Sequence, residues 1–321
     1  MAPDASVRSP WPLVSVIIQT FNWWDDGHIG LPETLTALER QTYPRDRCEL
    51  VVVVAPEHWE RWQALGVRGP RVVEVPAPAE LSYYQRKLHG LSHASGDVVA
   101  FLDADVRVAP GWLEAMVTPF LEHADVAAVQ GETRFRESFL SRMWDAVWWA
   151  RAYEPEGPLD RIYAVNHIAF RRRVLEAHAY DDAQSSRGAW ERIVSRRLRA
   201  AGHTIWLTPR ARIVHDYEPS LSQFLEYGLA RGYHLLAARF RQPEGADRVL
   251  AALGWAAPLV VFPGLVVKDA WRILSRAPRT GLPWWQWWKV PLYVLAYLPI
   301  ELVVLAGMTL AATGRPAPHL R

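Results

Sequence analysis

Ala94-Ser-Gly-Asp-Val-Val-Ala-Phe-Leu-Asp-Ala-Asp105 is the stretch that decides the fold. Its middle, Val98–Leu102, is an unbroken apolar run, the pattern of a strand covered on both faces. The run ends at Asp103 and Asp105. Residues two apart on an extended chain point to the same face, so both carboxylates project from the carboxyl end of a buried strand. Two hard oxygen donors there make a site for Mg2+ or Mn2+, and such an ion keeps positions open for phosphate oxygens.

Outward from this run, Leu13–Ile18 and Leu50–Val54 are further short apolar stretches, and Val72–Val75 is another. Leu31, Leu35 and Leu38 recur at helical spacing between the first two, and Pro44 stops that helix. Tyr84, Leu88 and Leu91 share one face of a helix before Val98. Strand and helix in alternation predict an α/β domain with a mostly parallel sheet. Ligands of such sheets sit beyond the carboxyl ends of the strands, here after Ile18, Val54 and Leu102.

Composition narrows the function. Half of the 321 residues are hydrophobic and 22% are charged, which excludes a disordered chain. A single cysteine, Cys48, excludes a disulfide framework and a cysteine-based zinc cluster. Lys+Arg of 36 against Asp+Glu of 34 leaves +2, so no nucleic-acid partner is expected. Neither a Gly-x-Gly-x-x-Gly after a strand nor a Walker A loop is present. The polar first ten residues carry no secretory signal pattern.

The C-terminal part differs. From residue 236 onward, ten Lys/Arg face four Asp/Glu, whereas the part before it is net acidic. Residues 249–267 are 19 positions without a charge, and 290–312 hold only Glu301. Between them lie basic residues and Trp284-Trp-Gln-Trp-Trp288. Trp, Lys and Arg at the rims of apolar segments suit the headgroup layer, so membrane association is expected. Pro258, Pro263 and Gly264 interrupt the first segment, which either spans or is re-entrant. In the re-entrant case the basic loop stays on the body's side, in keeping with the positive-inside rule.

Several motifs in order resemble the family-2 glycosyltransferases of the GT-A fold: Pro12-Leu-Val-Ser-Val-Ile-Ile-Gln-Thr-Phe-Asn22, Gln41-Thr-Tyr-Pro44, Ala94–Asp105, Val165-Asn-His-Ile-Ala-Phe-Arg-Arg172, Arg196-Arg-Leu-Arg-Ala-Ala-Gly202 and Ala211-Arg-Ile-Val-His215. The resemblance runs from about residue 12 to 235. It implies a GT-A catalytic domain over 1–235, followed by a membrane-associated helical region over 236–321. It also implies inverting, metal-assisted transfer of a sugar from a nucleoside diphosphate sugar to an acceptor hydroxyl. The acceptor expected for a membrane-bound member is a lipid-linked or polysaccharide glycan, with the catalytic domain facing the cytoplasm.

The resemblance also nominates residues. The family's base stands seven residues before the leucine of the arginine–leucine helix; counting back from Leu198 gives Glu191, preceded by Trp190 where the family carries an acid. A bulky apolar neighbour there would raise the acid's pKa towards a working value. Asp103 and Asp105 become metal ligands, with His215 a third. Donor contacts fall to Thr20, Asn22 and Asp103, with Asp25 a weaker candidate. Lys87 stands where the family often carries an arginine near the phosphates. At the end of the second strand the family commonly has two aspartates; here Val54-Ala55 replaces them, and Glu57 is the nearest substitute. His167 occupies a position often filled by Asn. Trp144, Trp148 and Trp149 fall on one side of a helix, as a lid, a membrane-facing patch or core. Ser220-Leu-Ser-Gln223 predicts a capping box opening a helix to about Ala238. The altered donor pocket leaves two alternatives open: a polyprenyl-phosphate sugar as donor, or a catalytically silent membrane scaffold.

Overall fold

The computed structural model describes residues 10–23, 30–69, 71–135, 138–146, 154–180, 189–215, 220–241, 243, 245–277 and 282–315. In chain order the elements are β1 (Val14–Gln19), α1 (Leu31–Glu39), β2 (Cys48–Val54), α2 (Trp59–Ala64), β3 (Val72–Pro76), α3 (Tyr83–Leu91), β4 (Val98–Asp103), β5 (Val106–Val108), α4 (Trp112–Glu122), β6 (Val126–Phe135), α5 (Phe139–Trp144), β7 (Gly157–Leu159), β8 (His167–Arg171), α6 (Arg172–His178), α7 (Ala189–Ala200), β9 (Thr204–His215), α8 (Leu221–Arg241), α9 (Ala246–Leu253), α10 (Ala257–Arg276) and α11 (Val290–Ala312).

The strands form one sheet in the order β3-β2-β1-β4-β8-β6-β9-β5, with β7 beside β9. The first four are mutually parallel; β8 runs antiparallel to β4 and β6, and β9 parallel to β6. The mixed, mostly parallel α/β sheet expected from the apolar runs is therefore what forms. Period-two alternation splits each strand between two cores. Val14, Val16, Ile18, Val52 and Val54 face α1 and α4, where Leu31, Trp112 and Met116 pack. Ile17, Val51, Val53, Val99 and Phe101 face α3 and α7, where Tyr84, Leu91, Trp190 and Leu198 pack. Burying an aliphatic side chain of this size is worth roughly 1.5–3 kcal/mol, and these clusters fix the strand ends that carry the site.

The C-terminal helices form a third layer. Phe135, Met143 and Trp144 of the α/β body share one cluster with Phe224 of α8, Ile273 of α10 and Tyr293, Tyr297 and Ile300 of α11. Trp144 meets Phe224 and Tyr227 edge-on at 4.9 Å each, so it belongs to this junction. Trp148 and Trp149 lie outside the described residues. Ser220 and Gln223 form the expected cap, Ser220 N donating to Gln223 Oε1 at 2.8 Å and Gln223 N to Ser220 Oγ at 3.3 Å. Residues 235 and 236, where the composition changes, both lie inside α8, so the helical layer begins at Leu221.

Two glycines set the α8–α11 crossing. A Cβ on Gly232 would lie 1.9 Å from Val304 O, and one on Gly307 would lie 2.0 Å from Leu229 O. Only backbones without side chains approach so closely. The apolar run 249–267 is interrupted, as expected, but at another place. It breaks at Gly254, whose φ is +52°, and not at the prolines. Pro258 lies in the first turn of α10, where its missing N–H breaks no helical bond. From there α10 runs past the end of the apolar stretch, because Asp269 pairs with Arg231 of α8. The helical stretches 246–276 and 284–312 are long and apolar enough to cross a membrane.

Candidate active site

The site forms where β1, β2 and β4 end. Sheet register explains its metal-ligating group. Asp105 precedes Val106, and β5 pairs antiparallel with β9 so that Val106 stands opposite His215. His215 Nε2 thus comes to 3.6 Å from Asp105 Oδ2. Thr34 Oγ1 of α1 lies 2.8 Å from Ala104 O and 2.7 Å from Val106 O, bracing the turn between the aspartates. One ligand atom each from Asp103, Asp105 and His215 lies within 4.8 Å of the others. Ligands on one magnesium-sized ion, bonded at about 2.0–2.1 Å, stand up to about 4.2 Å apart, so a small side-chain adjustment closes the set. The group therefore fits a divalent ion.

Lys87 Nζ donates to Asp103 Oδ1 at 2.8 Å, and Tyr83 Oη donates to the same oxygen at 2.7 Å. Lys87 is buried in α3. Burial pulls its ammonium below the usual lysine range, against the opposing pull of Asp103 and Asp105. The family position near the phosphates is here a partner of the metal carboxylate.

Glu191 stands in the first turn of α7 and is only 7% exposed, unlike a solvated helix-start glutamate. Tyr84 Oη donates to Glu191 Oε1 at 2.8 Å. Trp190 is buried beside the same tyrosine that holds the acid. Residues adjacent on a helix diverge by about 100°, so Trp190 turns into the core while Glu191 faces the site. There it stacks on Tyr84, with centroids 5.7 Å apart, and meets Phe170 edge-on. Sequence reasoning placed Tyr84 on a helix face and missed Tyr83. Together these two consecutive tyrosines hold the metal carboxylate and the candidate base from one helix start, which Ser82 and Gln85 cap.

The remaining nominees occupy varied settings. Thr20 is buried, its hydroxyl accepting from Ala55 N at 2.9 Å and contacting His58 Nδ1 at 3.2 Å, so it ties the end of β1 to that of β2. Glu57 is largely exposed and stands 3.9 Å from Arg86, whose guanidinium lies over Phe21. The side chain of Asn22 and all of Asp25 lie outside the described residues. His167 is buried between Trp112 Nε1 at 3.4 Å and Thr133 Oγ1 at 2.9 Å. Burial, reinforced by His215, lowers its pKa to about 3, so it is a neutral core histidine.

The sequence profile of glycosyl transferase family 2 matches residues 15–179. The chain belongs to this family. Over 259 residues it is 26% identical to the glucosyl-dolichyl phosphate glucuronosyltransferase of Haloferax volcanii, covering 73% of this chain and 80% of that one. The mannosyltransferase PcManGT from Pyrobaculum calidifontis, solved with GDP-Man and Mn2+, superposes with a TM-score of 0.59 at 19% identity, covering 98% of this chain and 92% of that one. GalNAc-T7, solved with UDP, GalNAc and Mn2+, gives 0.53 at 15% identity over 73% of this chain and 52% of its own. The fold is thus the GT-A type, and this family-2 member is a glycosyltransferase whose Asp-Asp-His group can hold a metal.

Proposed function

We propose that the protein is a membrane-bound inverting glycosyltransferase that moves a sugar from a nucleoside diphosphate donor to a hydroxyl of a lipid-linked glycan. The observation that carries this is the joint anchoring of Asp103 and Glu191 by Tyr83 and Tyr84. A carboxylate for metal and donor phosphate thereby stands beside a buried carboxylate for the acceptor proton. Asp103, Asp105 and His215 would hold the ion, and their mixed oxygen and imidazole donors suit Mn2+ better than Mg2+. When bound, the ion supplies positive charge for the departing diphosphate. Glu191 takes the proton of the attacking hydroxyl, and Tyr84 keeps its carboxylate aimed at that proton. Thr20 and Lys87 hold the pocket in shape, and Glu57, exposed at the end of β2, meets the donor base.

The relative that acts on glucosyl-dolichyl phosphate supports a lipid-linked acceptor. So does the outer surface of α10 and α11, where Leu259, Val260, Val267, Trp271, Leu295 and Leu302 stand exposed with Trp284 and Trp285 at the rim. Arg276 pairs with Glu154 of the body at 2.9 Å, which holds the basic stretch on the catalytic side. By the positive-inside rule that side faces the cytoplasm. A thermal-shift screen of nucleoside diphosphates with Mn2+ tests the donor. One base stabilises the protein if the reading holds; stabilisation by none favours a polyprenyl-phosphate donor or a silent relative. Asp105→Ala abolishes transfer and metal dependence while the fold persists; unchanged turnover refutes the metal site.

A further inference from the structure

α8 and α10 line an open groove of about 190 Å³ with two kinds of residue. Leu235, Val261, Gly264 and Leu265 make it apolar on one side, and Arg239 and Lys268 make it cationic on the other. Arg239 belongs to a wider cluster. Its Nε lies 3.3 Å from Asp247 Oδ1, while Asp247 Oδ2 also takes Arg192 and, at 3.8 Å, Arg196. Three guanidinium groups therefore share one carboxylate. Arg161 repels Arg192, Arg239 and Lys268 in turn. Nearby, Asp269 and Glu301 face Arg231, Arg272 and Lys268, so among the described residues Arg239 is left to share Asp247 with Arg192 and Arg196. Arg239 Nη1 is buried and has no hydrogen-bond partner among the described residues. A buried guanidinium donor beside like charges calls for an anion.

The same cluster reaches the catalytic acid. Arg192 directly follows Glu191 on α7, and Arg161 feels both the attraction of Glu191 and the repulsion of Arg231. We infer that the pocket seats the phosphate of the acceptor lipid, with the first apolar units of its chain against Leu235, Val261 and Leu265. The sugar on that phosphate extends past Arg161 to Glu191. This rests on the lipid-linked acceptor of the proposed function and sharpens it. A bare lipid phosphate would attack through an oxygen that is already ionised and would need no general base. Arg239 is linked through Asp247 to Arg192, the chain neighbour of Glu191, so the inference puts a sugar between the phosphate and the attacking hydroxyl, as in the relative that acts on glucosyl-dolichyl phosphate. The acceptor class is then a glycosylated isoprenoid phosphate.

The test uses the full chain in phosphatidylcholine nanodiscs and a synthetic glucosyl isoprenyl phosphate as probe, followed by tryptophan fluorescence. Arg239→Gln is expected to weaken probe binding roughly tenfold or more, the worth of a hydrogen bond to a charged group. A Cβ at Gly264 meets nothing within 4 Å, so Gly264→Ala keeps binding, whereas the larger side chain of Gly264→Phe fills the groove and weakens it similarly. Inorganic phosphate alone competes only weakly. Unchanged binding in Arg239→Gln and Gly264→Phe overturns the inference, as does displacement of the probe by phosphatidylglycerol at equal concentration. Mn2+-dependent nucleotide binding is measured on the same samples and stays constant across these variants. A failure of the acceptor pocket is thereby separated from a failure of the donor site.

Discussion

Tyr84→Phe removes one hydroxyl from the site and leaves its packing in place. The ring is 4% exposed and stacks on Trp190, contacts that phenylalanine keeps. What is lost is the 2.8 Å hydrogen bond to Glu191 Oε1. Donation to a charged group is worth about 1.5–3 kcal/mol, so kcat/KM should fall roughly 10- to 100-fold. The lost bond favoured the ionised carboxylate, so the acid limb of the pH–rate profile moves to higher pH. Glu191→Gln removes the proposed base and should cost about 10²–10⁴. Because Tyr84 acts through Glu191, the double variant should be no slower than Glu191→Gln alone. The assay is steady-state transfer from a labelled donor across pH, with the melting temperature and nucleotide affinity recorded for each variant. An unchanged pH profile in Tyr84→Phe would refute the reasoning. Effects that multiply in the double variant would do the same, for the tyrosine would then act on something other than residue 191.

Lys87→Met leaves Asp103 buried without its cation and should cost about 3–5 kcal/mol of stability in chelator, seen as a lower melting temperature; Mn2+ should restore the variant by more than it raises the parent. For His167 the folded pKa of about 3 lies below the ordinary 6.5, so the unfolded chain binds the proton first. Its stabilising contribution is complete above pH 6.5 and is lost as pH falls towards 3, at about 1.4 kcal/mol per pH unit. His167→Gln should flatten that acid limb in melting curves. Gly232→Leu pushes a side chain into the backbone of α11 and should unseat it, read as new proteolysis in the segment joining α10 and α11; unchanged digestion would show that the crossing is not tight.

The fold was legible because its signals are local. Val98–Leu102 and the apolar runs before it announce strands buried on both faces, and Asp103 and Asp105 follow on the same chain. Tyr83 and Tyr84 carried no such mark. Tyr84 and Glu191 stand 107 positions apart, and their contact exists only once α3 and α7 pack on one face of the sheet. Trp190 was visible as an oddity, but its direction was not, since adjacent helix residues diverge. The C-terminal helices show the same limit. Hydropathy marked residues 249–267, yet the chain breaks at Gly254 and α10 runs on to Arg276, because a charge on one helix finds its partner on another.

The charge in the catalytic cleft argues for a coupling between its two halves. Asp103 and Asp105 carry two negative charges, and the ammonium of Lys87 cancels one. A divalent ion entering alone meets a net single negative charge and a buried cation bonded to one of its own ligands. Its affinity is therefore lower than that of two free carboxylates. On the proposed reading a nucleoside diphosphate sugar would bring the missing negative charge, and ion and donor would bind better together than either does alone. The same Asp103 oxygen that holds Lys87 also takes Tyr83, and Tyr83 meets Tyr84 edge-on at 5.1 Å. Tyr84 in turn donates to Glu191, so a continuous line of contacts runs from the candidate metal carboxylate to the candidate base.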